Sequence, residues 1–326
     1  MTYTQRSNPP PHSRPKHQWR SFYIGKGFTW TMGRMAFFVH LLWLFIESDF
    51  LTFAIPNTAF GIFSAMASPV LTKTPAPALG VLIQRFPLVL GYNTMNLLVF
   101  DLANQRAASS VVEDCINKPW RPIPQGKITT TQTRRMMLVG IPVILAMNYM
   151  FGVWQQGIMI HILTWLYNDL QGGDEVFIRE LIIAIAYGLF NSGSLAVAIG
   201  PEVPLGPLAL AWISIISGVI LTTMQIQDLK DQKGDKTRGR RTMALFIGER
   251  FSRVSIAFFI CFWTLACSYF WNLGAVAFAL ITAIGSMVVL RLFLCAPNEH
   301  ATTWRWWCFW HASLYALPVS ALLQGL

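Results

Sequence analysis

Three aspartates, Asp228, Asp231 and Asp235, stand three and four residues apart at the end of a long apolar run. If the preceding helix continues into them, that spacing puts all three carboxylates on one face, with Gln225 one turn earlier. The bases Lys233, Lys236, Arg238, Arg240 and Arg241 lie among them or follow directly. Converging carboxylates repel one another unless something positive sits between them, and the ordinary candidate is a hard divalent cation. The adjacent bases would then hold the anion bound to that cation.

An earlier apolar run ends in a second polar cluster. Asp101, Asn104 and Gln105 lead, Glu113 and Asp114 follow, and Asn117, Lys118 and Arg121 come next. Pro119, Pro122 and Pro124 stiffen this segment and Gly126 lets it turn, so Lys118 and Arg121 are held in place. Thr129 or Thr130 is placed to cap the next helix. The plain alternative for either loop is a solvated surface whose acids and bases neutralise each other. Two such loops shift the balance, because acids alone suit a calcium or proton site, whereas acids with bases suit a metal-bridged phosphate or diphosphate.

The elements that must position these loops are apolar. Of 326 residues, 54% are hydrophobic and only 12% charged, against about 25% charged in a soluble domain. The expectation is an all-α, polytopic membrane protein with about nine transmembrane helices in one bundle around a central cavity. The apolar segments are 50–67, 80–100, 136–153, 154–168, 178–199, 206–227, 254–271, 273–294 and 304–325. Residues 35–48 read as a lead-in or interfacial helix, residues 1–34 as a basic, poorly ordered cytoplasmic arm, and residues 35–326 as a single transmembrane domain. A net charge of +10 could suggest nucleic acid, but no basic stripe lies on a soluble fold. Instead, every Lys and Arg except Lys73 and Arg85 falls in one set of loops. By the positive-inside rule that set is cytoplasmic, and it includes the amino terminus and both acidic loops.

The arm lacks the apolar core of a secretory signal, and its prolines spoil an amphipathic mitochondrial presequence, which ranks the endoplasmic reticulum ahead of the mitochondrion. Five cysteines form neither a disulfide framework nor a zinc site. Asn148, Asn191, Ser194 and His161 are scattered within the spans; Asn191 and Ser194, three apart, are expected to make interhelical hydrogen bonds ahead of reaching a cavity, and His40, His300 and His311 read as interfacial. That scatter argues against a transporter, whose polar groups would collect at mid-depth. No obligate protein partner is signalled.

These motifs resemble those of the UbiA superfamily of intramembrane prenyltransferases, all-helical proteins of nine spans with two aspartate-rich motifs. The second, DxxDxxxD, is matched in full by Asp228, Asp231 and Asp235, followed by Arg241 and Thr242. The first is matched in its later part, where DCINKPWRPIPQG aligns Asp114, Asn117, Lys118, Pro119 and Arg121. Upstream it departs: Asn104 lies ten residues before Asp114 instead of eight, Gln105 replaces an aspartate, and the middle acid is missing. The resemblance implies that Asn104, Asp114, Asp228, Asp231 and Asp235 bind Mg2+ and that Lys118, Arg121, Lys236, Arg240 and Arg241 contact the diphosphate of an isoprenyl substrate, of C15 or C20 length. Asp114 and the three later aspartates would thereby be catalytic. Asp101, Gln105, Glu113 and Asn117 are secondary candidates, with Asp101 and Glu113 placed to compensate for the missing acid.

Breaking the carbon–oxygen bond leaves an allylic cation and a diphosphate anion, which metals and fixed bases stabilise. An aromatic or lipid acceptor captures the cation in most of the superfamily. A double bond of the same chain captures it in a fungal branch of terpene cyclases, whose first motif departs in a similar way. FDLANQ followed by EDxINKPWRPIP points to that branch.

Overall fold

The computed structural model describes residues 27–296 and 299–323, and every apolar run lies in helix, with no strand among the described residues. Helix α1 (Gly27–Asp49) continues through a π-helical turn, Phe50–Ala54, into α2 (Ile55–Met66), which is followed by the short α3 (Ser68–Leu71). Next come α4 (Leu79–Arg106), α5 (Ala108–Asn117), α6 (Thr130–Met150), α7 (Trp154–Asn168) and α8 (Val176–Ile199). Helix α9 (Pro207–Thr223) passes through a 3-10 turn, Met224–Gln227, into α10 (Asp228–Arg238). The short α11 (Met243–Phe246), then α12 (Glu249–Phe270), α13 (Ala275–Leu294), α14 (His300–Leu314) and α15 (Leu317–Leu323) complete the order.

Residues 41–326 form one unit by their contacts. Most of the expected basic arm lies outside the described residues, and its described part, from Gly27, belongs to α1. The expected lead-in helix is not separate, since α1 runs through it and joins the first apolar run.

Among the described residues, six helices are long and apolar enough to cross a membrane: Gly33–Met66, Leu79–Arg106, Val176–Ile199, Pro207–Arg238, Glu249–Phe270 and Ala275–Leu294. The all-helical reading holds, while these six fall short of the nine spans expected. Helix α7 has 15 residues, a length of about 22 Å against a hydrocarbon core of about 30 Å. Helix α6 begins with the polar stretch Thr130 to Arg135, and the last apolar run is divided between α14 and α15. Along α12, Phe251, Val254, Phe258, Phe262, Leu265 and Tyr269 form an exposed apolar stripe at helical spacing. A stripe of that size facing outward is suited to lipid.

Helix starts and stops follow local chemistry. Thr129 caps α6 in a reciprocal box, its hydroxyl accepting from Gln132 N at 3.2 Å while its own N–H donates to Gln132 Oε1 at 2.9 Å. Helix α10 ends where Gly239 takes a left-handed φ of +80°, which a glycine adopts without strain. That turn brings Arg240 back against Asp235, whose carbonyl accepts from Arg240 N at 3.0 Å.

Helix α8 packs against α2, α4, α7 and α9. It approaches α2 so closely that a Cβ on Gly61 would lie 2.7 Å from the backbone of Ser194. Buried amides fasten the same helices. Asn93 donates to Ser194 Oγ at 2.8 Å and to Thr58 at 3.1 Å, and Asn96 and Asn148 exchange hydrogen bonds at 3.0 and 2.9 Å. Ser194 thus makes the interhelical bond expected of it. His311 is buried instead of interfacial, its ring stacked on Trp307 at a centroid distance of 5.1 Å. Cys115, Cys261, Cys267, Cys295 and Cys308 are all free thiols.

The close approach at Gly61 is testable. Gly61→Ala should destabilise the detergent-solubilised protein by about 1–3 kcal/mol, because the helices must move apart. Gly80→Ala, where the added methyl meets open space, should leave the unfolding midpoint unchanged or slightly raised.

Candidate active site

A cavity of about 1100 Å³, its mouth included, is lined by residues of both polar clusters and by the helices between them. Its course is written along α8. Arg179, Ile182, Ile183, Ala186, Tyr187 and Phe190 all face it, at the spacing of one helical stripe. From Arg179 to Phe190 the axis advances about 16 Å, from charged residues to aromatic ones. Phe53 closes against this stripe, its ring 4.8 Å from Tyr187 and 4.7 Å from Phe190. Phe100, Tyr167 and Trp304 complete the aromatic wall.

At the charged end, Asp228, Asp231 and Asp235 all line the cavity, as their spacing predicts for a continued helix. Asp228 is 1% exposed and is gripped by Arg179 through two bonds, Nη1 to Oδ2 at 2.9 Å and Nη2 to Oδ1 at 2.7 Å. The same guanidinium donates to Glu180 at 2.7 Å. Asp231 accepts from Lys230 Nζ at 2.5 Å. Asp235, also 1% exposed, lies 3.5 Å from Arg240 Nη1.

The first cluster meets the second through Asn117. Its side-chain amide donates to the Asp231 carbonyl at 2.9 Å and accepts from Gly234 N at 3.1 Å. A Cβ on Gly234 would sit 2.3 Å from that amide, so only glycine admits the clasp. A second tie runs through Glu113, which accepts from Arg238 at 3.0 Å and from Arg240 at 3.3 Å. Asp174, in the turn before α8, accepts from both arginines as well, at 3.3 and 3.2 Å. The two loops are therefore fixed to each other before any ligand arrives.

Among the expected site residues, Asn104, Glu113, Lys118, Arg121, Asp228, Asp231, Asp235 and Arg240 line the cavity. Asp101, Gln105, Asp114, Asn117, Lys236 and Arg241 are not among the lining residues. Asp114 is 2% exposed, and both its oxygens accept from Arg121 Nη1, at 3.0 and 3.1 Å. Burial pushes its carboxyl above the ordinary carboxylate range, while Arg121 and Lys118 pull the other way. For Arg121, burial works against the charge, yet Asp114, Asp49 and Asp101 together hold it protonated more firmly than usual. Gln105 is buried and donates to the Phe45 carbonyl at 2.8 Å, away from the cavity. Lys236 is exposed, and the Arg241 side chain is 69% exposed, its nearest acid Glu175 at 3.9 Å.

Several lining residues escape the reading of the motifs. Arg179 lines the cavity while its neighbour Glu180 does not, and both are charges at the start of the apolar run 178–199, a signal that ordinarily marks a site. Asp49 reads in sequence as a polar break between two apolar stretches. Nothing in composition selects Phe53, Phe100, Tyr167, Tyr187, Phe190 and Trp304 from the chain's other aromatics.

The donor set suits a hard cation. Asp228, Asp231, Asp235 and Asn104 offer only oxygen, and the Asn104 Oδ1 is buried with no donor to satisfy it. No three His, Cys, Asp or Glu side chains converge into a ready cage among the described residues. Mg2+ needs none, since it is usually held by one or two carboxylates together with waters and substrate phosphates.

Comparison with known proteins agrees with this geometry. Residues 62–314 match the model of the UbiA prenyltransferase family. The chain is 27% identical to the fumagillin beta-trans-bergamotene synthase of Aspergillus fumigatus, over 88% of this chain and 94% of that one. It is 30% identical to the somaliensene A/B synthase of Streptomyces somaliensis, over 68% and 69% of the two chains. Its fold resembles that of a UbiA homolog from Archaeoglobus fulgidus bound to GPP and Mg2+, with a TM-score of 0.60 over 87% of this chain and 99% of that one, at 13% identity.

The Arg179 pairings set an order of stability. Arg179→Met strands two buried acids and should cost about 3–5 kcal/mol in the chelator-treated protein, whereas Asp228→Asn leaves Arg179 its bond to Glu180 and should cost less. Thermal unfolding followed by tryptophan fluorescence checks the order, and equal losses would count against it.

Proposed function

The chain belongs to the UbiA prenyltransferase family, and on that premise we propose that it ionises an isoprenyl diphosphate within the membrane and lets the allylic cation close on its own chain, as a terpene cyclase. One observation carries this reading: a single cavity joins the aspartate and arginine cluster to an aromatic wall along α8. The kinship with two named terpene synthases supports it.

In this reading Lys118, Arg121, Arg179 and Arg240 hold the diphosphate oxygens. Asp228, Asp231, Asp235 and Asn104 hold Mg2+, which when bound neutralises the charge that builds up on the leaving group. Lys236 and Arg241 form an outer basic rim that meets the incoming anion before the cavity does. Asp114 fixes Arg121, Asn117 fixes the α10 backbone, and Gln105 fixes α4 to α1. The substrate tail lies along α8, where ring faces stabilise positive charge and apolar walls keep water from the cation. A C15 or C20 diphosphate is the substrate.

The nine apolar runs span the bilayer as one domain, with the two short helices α7 and α14 crossing where the membrane thins or as part of the packed bundle. The amino terminus and both acidic loops face the cytoplasm, in the endoplasmic reticulum, and no protein partner is required. Transfer to an aromatic or lipid acceptor is the other fate of the same cation.

Purified protein with Mg2+ and C10, C15 and C20 diphosphates, each supplied alone, separates the two fates. Mass spectrometry should find a cyclic hydrocarbon from the C15 or C20 substrate. Product that forms only after an acceptor is added would replace cyclisation with transfer. Asp228→Ala should lower turnover by a factor on the order of 10²–10³, and chelation should abolish it.

A further inference from the structure

The first motif lacks its middle acid, and the last acid, Asp114, does not reach the cavity. Both Asp114 oxygens are taken by Arg121, and its side chain is only 3% exposed. Unlike Asp228, which is also held by an arginine but lines the cavity, Asp114 serves Arg121 as a fixed counter-charge behind the cavity wall. The acidic half of this side of the cavity must come from elsewhere.

Asp49, at the end of α1 where the π-helical turn begins, lies in the right place. It lines the cavity together with Thr52 and Phe53. π-Helical turns recur at functional sites, because they turn a side chain out of the regular helical register. The other guanidinium nitrogen of Arg121, Nη2, reaches Asp49 Oδ2 at 3.3 Å, so one arginine stands between a buried acid and a cavity-facing one. The Asp49 side chain is 32% exposed, about ten times as open as that of Asp114.

A second observation points to a ligand. Asp101 is 1% exposed, and neither of its carboxyl oxygens has an N–H or O–H donor among the described residues. It is near enough to Asp49 for the two carboxyl groups to interact, and both act on Arg121. Neighbouring carboxylates repel unless a proton or a cation stands between them. Asn104, one turn further along α4 and lining the cavity, adds a buried amide oxygen that no donor satisfies. Asp49 and Asn104 line the same cavity as the aspartates of α10.

We infer that Asp49, backed by Asp101, supplies the carboxylate that the first motif has lost, and binds the divalent cation that holds the diphosphate. Asp114 is then a positioning residue that acts through Arg121. This assignment rests on the metal-diphosphate reading above. It explains why the motif could drift: an acid from α1 reaches the place that an acid on α4 or α5 would otherwise fill.

The test uses the full chain purified in detergent, titrated with Mg2+ at a fixed concentration of inorganic pyrophosphate, with thermal unfolding as the readout. Asp49→Asn should raise the Mg2+ concentration needed for the half-maximal shift about tenfold or more, as loss of a metal-site partner does. Asp49→Glu keeps the charge beside Arg121 but moves the carboxylate by one methylene. It should unfold like the wild type in chelator and still shift the Mg2+ midpoint severalfold. If Asp49→Glu titrates like the wild type while Asp228→Ala no longer responds, Asp49 is a counter-charge only and the inference is overturned. If Asp228→Ala also responds like the wild type, the metal-diphosphate reading itself falls, and the inference falls with it.

Discussion

Arg121, 3% exposed, holds one positive charge between the carboxylates of Asp114 and Asp49, and the architecture of the charged end depends on that balance. An ion taken out of water costs several kcal/mol unless a partner of opposite sign replaces its hydration. Here the buried arginines have such partners: Arg121 has Asp114, Arg179 has Asp228 and Glu180, and Arg240 has Glu113, Asp174 and Asp235. The pairs cross from α5 to the turn after α10 and from α8 to α10, so the charges that would meet a ligand also join the helices that carry them. A dianion entering with its cations adds charge of both signs and leaves this balance intact.

The same helix that presents Arg179 to the aspartates presents Tyr187 and Phe190 to the far wall. Because α8 is packed on several sides and clasped through Ser194, the separation between the charged end and the aromatic wall is set by helical rise and is hard to vary. The small side chain at Gly61 allows α2 to lie against α8, and α2 follows directly from the turn that carries Phe53. One close helix contact therefore positions both an aromatic of the wall and Asp49 four residues before it.

How far the sequence could be read depended on whether local spacing or distant packing decided a side chain's position. The shared face of Asp228, Asp231 and Asp235 follows from helical period alone, and so does the outward position of Lys236, one residue further round the helix from Asp235. Arg241 lies beyond the turn at Gly239, whose path the helical period does not give. The proline-held turn after α5 correctly predicts a fixed Arg121. It cannot reveal that Arg121 takes up both oxygens of Asp114, because that depends on how the turn folds back over seven residues. Arg179 carried a signal in its apolar surroundings. Asp49 carried none, since its meaning comes from α4 and from Arg121, both distant in sequence. The spans diverged for another reason: apolar runs report composition, while α7 ends after 15 residues and the last run is divided between two helices.

Cleavage of an allylic diphosphate creates opposite charges at one point, and recombination is the default outcome unless the environment treats the two differently. At the charged end, cationic nitrogens held by buried partners would meet the anion without having to reorganise as the bond breaks. The wall around Tyr187 and Phe190 offers aromatic rings, which favour a cation. Charge separation along α8 is thus favoured from both ends, and the cation is left with its own double bonds as the nearest nucleophiles. An acceptor for transfer would have to enter this same space beside the chain.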